Sequence, residues 1–74
     1  MEGTKQVAQR IVNAAEHFVG VVQQITGCSR EEALKALDTM RKLKVAKLDV
    51  AAGRYQVKHG AFMEADALRA AIDY

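Results

Sequence analysis

The segment from Ile25 to Leu37 constrains the fold most, because a glycine and a serine two residues apart end one helix and begin another. Gly27 can adopt the left-handed conformation that closes a helix without a steric penalty from Cβ. Ser29 is a favourable N-cap, and Glu32, three residues later, completes a capping box. About three residues then separate the two helices. We therefore predict a sharp corner that leaves the outer face of the second helix free to meet a partner.

Length and composition predict one small globular domain. The chain has 74 residues, of which 50% are hydrophobic and 27% are charged. This length is near the lower limit for a chain that folds around a single core without disulfides or a structural metal. One cysteine excludes an internal disulfide, and no spacing of cysteine and histidine indicates a zinc site. The first residues lack an apolar signal segment, and no apolar run has the roughly 18 residues of a membrane span. We expect a single cytoplasmic domain over residues 1–74, with residues 1–3 irregular.

Apolar spacing predicts a first helix from Lys5 to Phe18, with Thr4 as its N-cap. A glycine inside a helix costs about 1 kcal/mol relative to alanine, so we interpret Gly20 as a kink or break. One helix from Lys5 to Thr26 is the alternative, since neither proline nor a polar turn interrupts this stretch. The stripe that we expect to be buried consists of Val7, Ile11, Ala14, Ala15 and Phe18.

Three further elements are expected after the corner. The second helix covers Arg30 to about Leu43, and a two-stranded hairpin follows from about residue 45 to residue 58, with Gly53 in its loop. Within the second strand, alternation places Tyr55 and Val57 on one face and the polar residues on the other. A last helix covers residues 62–72. The inner side of the second helix is predicted to hold Ala33, Leu34, Leu37, Met40 and Lys44.

The stretch from Thr26 to Lys58 resembles the second half of a winged helix-turn-helix domain. The resemblance is carried by a helix, the Gly-Cys-Ser turn, a second helix, and a β-hairpin in that order. It implies a mainly α fold with a small β-hairpin, to which this chain adds a C-terminal helix. It also implies binding to duplex DNA, as a transcriptional regulator or an accessory factor.

The resemblance assigns DNA contacts to the second helix and to the hairpin, or wing. Residues 35–58 contain seven basic and two acidic side chains, a local excess of +5, whereas the whole chain carries only +2. Arginine and lysine pair with guanine or with phosphate, according to their position. The candidate DNA-binding residues are Ser29, Arg30, Lys35, Thr39, Lys42, Lys47, Arg54, Gln56 and Lys58.

A second hypothesis is a protein-interaction module with the same fold. The pairs Glu31/Lys35 and Asp38/Lys42 stabilise any solvent-exposed helix, and their acids would repel phosphates. The apolar helix surface also exceeds what so short a chain can bury, which favours a protein partner or a second subunit. We expect the DNA-binding form to be a homodimer through the first or last helix. Such a module could be an inhibitor of a host protein complex, encoded by a phage or another mobile element.

The sequence does not indicate an enzyme or a cofactor. Its acids are scattered over several helix faces, the expected role of Ser29 is a cap, and His17 and His59 are isolated. Cys28 lies beside a helix N-terminus, where a redox-sensing thiolate would be stabilised. We favour the other interpretation, in which Cys28 is a small apolar plug in the turn.

Overall fold

The computed structural model describes the backbone of residues 2–74 and the side chains of residues 6–74. The chain is mainly α-helical with one β-hairpin and a C-terminal helix, which confirms the expected fold class. The last helix begins later than predicted, because Phe62 belongs to a 3₁₀ turn that precedes it. The elements are α1 (Glu2–Thr26), α2 (Arg30–Lys42), β1 (Ala46–Asp49), β2 (Arg54–Val57), the 3₁₀ turn (Gly60–Met63) and α3 (Ala65–Asp73).

Helix α1 runs without interruption through Gly20, so the predicted break is wrong and the continuous alternative is correct. Phe18, Val19 and Val22 are all buried on the two sides of this glycine. Tertiary packing of that kind outweighs a helix-propensity cost of about 1 kcal/mol. The helix already includes Glu2, ahead of the predicted cap. The side chain of Thr4 and all of Met1 lie outside the described residues.

The corner between α1 and α2 is the one that the sequence predicts. Gly27 has a φ of +71°, in the left-handed region that glycine tolerates. The Ser29 hydroxyl accepts a hydrogen bond from the Glu32 amide at 3.1 Å, and the Glu32 carboxylate accepts one from the Ser29 amide at 3.0 Å. The capping box is therefore complete, and α2 begins at Arg30.

The core lies between the second half of α1, the inner side of α2, and α3. Its largest fully buried side chains are Val22 and Leu68. The hairpin covers one edge of this core, since the Tyr55 ring meets the Phe18 ring edge-on at 6.1 Å. Arg69 of α3 donates a hydrogen bond to the Thr26 carbonyl at 2.7 Å and so holds α3 at the end of α1.

The hairpin has the predicted alternation. Strands β1 and β2 are antiparallel, with Lys47 opposite Gln56 and Leu48 opposite Tyr55. Tyr55 and Val57 are half-buried, whereas the polar residues between them are exposed. The wing therefore turns one apolar face to the core and one polar face to solvent.

The first turns of α1 depart from the predicted burial. The stripe is buried or half-buried from Ala14 onward, but Val7 and Ile11 are 44% and 40% exposed. Among the described side chains of α1, those that contribute to the core begin at Ala14. We call residues 6–13 the N-terminal arm. Every side chain of this arm is exposed.

Candidate nucleic-acid interface

Thr39 does not lie on the exposed face of α2, where the sequence placed it. Only 5% of this residue is exposed. It is three residues after the buried Ala36 and beside the buried Met40, so helical geometry turns it toward the core side. The predicted exposure of Thr39 is therefore wrong, and the DNA contact assigned to it lacks the exposed side chain that it would require.

Arg30 is exposed, but its guanidinium is already engaged. Both of its terminal nitrogens donate hydrogen bonds to the carboxylate of Glu16 on α1. These hydrogen bonds hold the pKa of Glu16 below its ordinary value and raise the pKa of Arg30. The hydroxyl of Ser29 is likewise used by the helix cap. The first turn of α2 therefore ties the two helices together, with the positive charge of Arg30 paired to the Glu16 carboxylate.

The outward face of α2 is formally neutral. It presents two acids and two bases, and Lys42 lies 3.0 Å from the carboxylate of Asp38. Lys35 is exposed, as predicted. Along this face, the two lysines would attract DNA phosphates and the two acids would repel them about equally. The four residues are Glu31, Lys35, Asp38 and Lys42.

Positive charge gathers instead at the base of the hairpin. Lys44, Lys47 and Lys58 surround a shallow depression of about 380 Å³ together with Gln56. We call these four residues the basic wing surface. All four are exposed. Because the lysines come from three separate segments of the chain, folding is needed to bring them together.

The end of α2 positions Lys44 in this surface. The Lys44 amide donates to the Arg41 carbonyl and the Val45 amide donates to the Met40 carbonyl, each at 3.0 Å. This pair of hydrogen bonds is a Schellman motif, whose closing residue is usually glycine. Lys44 occupies that position with a φ of +61°, which favours glycine over residues with a Cβ.

Sequence reasoning missed Lys44 as a site residue, since it extended the helical pattern beyond the true end of α2. The structure exposes Lys44 instead of placing it on the inner side, and Leu34, also expected inside, is 37% exposed. Lys58 is held level with Val45, because its amide donates to the Val45 carbonyl at 2.8 Å. That bond continues the hairpin pairing and brings Lys58 beside the end of α2.

The tip of the wing is less positive than the sequence suggests. Arg54 is exposed, but it lies opposite Asp49 and donates a hydrogen bond to the Gly53 carbonyl at 2.9 Å. Gln56 donates to the Asp49 carboxylate at 2.6 Å. The acid therefore offsets Arg54 at the tip, and the excess charge lies with the three lysines at the base.

Other chemistry receives little support from the described part of the chain. Cys28 is half-buried and packs against the core, as expected of an apolar plug. Among residues 6–74, no group of three or more acidic, histidine or cysteine side chains is placed to hold a metal ion. The described helices include none that is both long and apolar enough to cross a membrane.

The order of elements is compatible with a winged-helix shape. Comparison with protein-family models, curated proteins and solved structures gave no match for this chain.

Proposed function

We propose that this chain is a winged-helix protein that binds duplex DNA and acts in the cytoplasm as a transcriptional regulator or accessory factor. The observation that carries the proposal is the basic wing surface, where three lysines from separate segments line one depression. Lysine side chains neutralise phosphates and release condensed counterions, and this release supplies most of the affinity of sequence-independent binding.

The neutral outward face of α2 bears on the kind of binding expected. Phosphate contacts position a protein on DNA, whereas contacts to base edges specify a sequence. Lys35 remains available for base contact, but its neighbours Glu31 and Asp38 carry the opposite charge. We therefore propose that the wing dominates the affinity and that sequence preference is modest.

Fluorescence anisotropy with a labelled duplex at several salt concentrations tests the proposal. We expect binding that weakens with salt, and the slope of log K against log salt should fall by about 0.9 for each lost phosphate contact. Substituting Lys44, Lys47 and Lys58 together with Gln should abolish most of the binding, and each single substitution should weaken it several-fold. The matched control for the single variants, Lys35→Gln, removes the same one charge from α2 and should retain the binding. No binding at low salt, or an equal loss in the control, contradicts the proposal.

The second candidate is a protein-interaction module, including an inhibitor of a host complex. The exposed apolar arm of α1 favours it, since Val7 and Ile11 are 44% and 40% exposed on one side of the helix and clustered apolar surface is typical of interaction sites. A pull-down from nuclease-treated lysate separates the two candidates. A stoichiometric partner protein that survives nuclease and is lost with Ile11→Glu supports this alternative.

A further inference from the structure

One exposed apolar surface of the described residues is the N-terminal arm. Val7 and Ile11 lie on one side of α1, in line with the buried Ala14 and Phe18. At 1.5 Å per residue, residues 2–13 extend for about 18 Å before the core begins. The chain is correspondingly elongated, with extents of 42 × 22 × 17 Å. The arm is therefore a ridge whose apolar side continues the core but has no cover within the described residues.

The second surface is a groove between the end of α2 and α3. Its volume is about 240 Å³. One wall is built from alanines of α3, whose small side chains let another helix approach closely. Leu43 and Tyr74 stand beside it, 49% and 77% exposed. The full lining is Thr39, Met40, Leu43, Val45, Phe62, Ala67, Ala70, Ala71 and Tyr74.

We propose that the arm of one copy docks in the groove of a second copy and that the exchange is reciprocal, giving a closed two-fold dimer. The surfaces match in shape, since one is a helical ridge and the other a groove between two helices. They also match in charge on the α3 side, whereas Lys44 lies beside the opposite rim. The arm carries Arg10 and no acid between residues 6 and 13, whereas Asp66 and Asp73 lie on α3 and Glu64 directly precedes it.

Charge also distinguishes this exchange from a pairing of two arms. An arm against an arm would combine two positive charges, one from each Arg10, with no acid from residues 6–13 to offset them. In contrast, Arg69 of α3 is held at the Thr26 carbonyl, which leaves the acids as the free charges along α3. Opposite charges at the rim therefore favour docking of the arm in the groove over pairing of two arms.

Reciprocity matters because of the area required. A stable specific interface buries about 800 Å² on each partner, more than a short arm offers alone. In a reciprocal dimer each copy contributes one arm and one groove, so every copy is buried at two places. Two-fold symmetry also closes the assembly, whereas a one-way contact would continue into longer oligomers.

Sedimentation velocity without nucleic acid tests this proposal separately from DNA binding. We expect the native chain to reach twice its mass of 8.1 kDa as its concentration rises. Ile11→Glu in the arm and Ala70→Glu in the groove should each give monomers. Both positions are exposed, so circular dichroism should show unchanged folding. The control variants, Gln9→Glu on the arm and Ala51→Glu in the hairpin loop, add the same charge elsewhere and should still dimerise.

Mixing the two defective variants provides the decisive measurement. The groove variant has an intact arm and the arm variant has an intact groove, so an equimolar mixture should associate through the one contact that it retains. This should require a higher concentration than the native chain needs, because one contact buries less area than two. A native chain that stays monomeric overturns the proposal, as does a mixture that associates no more than either variant alone. Growth of the native chain beyond a dimer overturns the reciprocal arrangement. Loss of dimer in Ile11→Glu but not in Ala70→Glu indicates pairing of two arms instead.

Discussion

Arg30 of α2 donates to both carboxylate oxygens of Glu16 on α1, across 14 positions of the sequence. This ion pair, which we call the strap, links the two helices across the corner at Gly27. The winged-helix resemblance implies that Arg30 could pair with guanine, but its guanidinium is already bound to Glu16. The sequence predicted the corner and its cap, because short-range rules determine them. It did not predict that Glu16 would bind the Arg30 guanidinium, because that contact depends on how the two helices pack.

The strap predicts that Arg30 contributes little to DNA affinity. Arg30→Ala removes a side chain that is committed to Glu16, so the dissociation constant for a duplex at low salt should change by less than about twofold. Lys47→Ala should weaken binding several-fold, because it removes a free charge from the basic wing surface. Anisotropy titrations of both variants make the comparison. An equal loss in the two would show that Arg30 leaves Glu16 to reach the DNA.

The carboxylates at the corner predict a loss of stability in acid. The Ser29 amide holds the pKa of Glu32 below its ordinary value, and Arg30 does the same for Glu16. A depressed native pKa stabilises the fold above the unfolded value of about 4.3, and the contribution disappears as the pH falls through the native pKa. The urea concentration at the unfolding midpoint should therefore decrease as the pH is lowered below about 4.3. This decrease should be smaller in the double variant Glu16→Gln/Glu32→Gln. Glu31→Gln, which removes a charge outside the cap, is the control.

The elements that the sequence predicted well are those that short-range chemistry determines. Gly27, Ser29 and Glu32 specify the corner within six residues, and the alternation around Tyr55 specifies the wing. Burial was harder to predict, because it depends on how far the other elements reach. The periodicity that makes Val7 and Ile11 a buried stripe is present, but the described chain provides no cover for it.

The candidate site was only partly predictable for a related reason. Lys47 and Lys58 lie where the hairpin pattern placed them, exposed and at its base. Lys44 joins them because α2 ends with a left-handed residue that is not glycine, and helical periodicity has no signal for such an ending. Thr39 was misplaced since the sequence could not show that α3 covers that side of α2.

The same substitution at two glycines should have opposite effects on stability. Gly20 is inside α1, and apart from the adjacent backbone of that helix no atom lies within 4 Å of the position that a Cβ would take. Gly20→Ala should therefore stabilise the fold by about 0.5–1 kcal/mol. Gly27 has a left-handed backbone, and Gly27→Ala should destabilise it by about 1–2 kcal/mol. Urea denaturation of both variants measures the difference. Destabilisation by Gly20→Ala would indicate that the helix bends there in solution.

Leu68 should contribute far more to stability than another leucine of the helices. Leu68 is a residue of α3 whose side chain is fully buried in the core. Truncating such a leucine to alanine costs about 2–5 kcal/mol of stability. In a chain of this size, that loss is a large fraction of the total stability. Leu34→Ala is the matched control, since Leu34 is 37% exposed. Similar urea midpoints for the two variants would contradict the assignment of the core.

Lys44→Gly should separate stability from DNA binding. A residue with a Cβ in the left-handed region costs about 1–2 kcal/mol, and glycine relieves that cost but loses more entropy on folding. We expect the variant to be as stable as the native chain or more stable by up to about 1 kcal/mol, as measured by urea denaturation.

Binding of the same Lys44→Gly variant should weaken several-fold at low salt, with a salt slope reduced by about 0.9. Lys42→Gly provides the control, because Lys42 is in the last turn of α2 and is paired with Asp38. Glycine at that position should cost about 1 kcal/mol of stability and leave most of the binding. If Lys44→Gly instead destabilised the fold and preserved the affinity for DNA, Lys44 would have a structural role. It would then not belong to the DNA-binding surface.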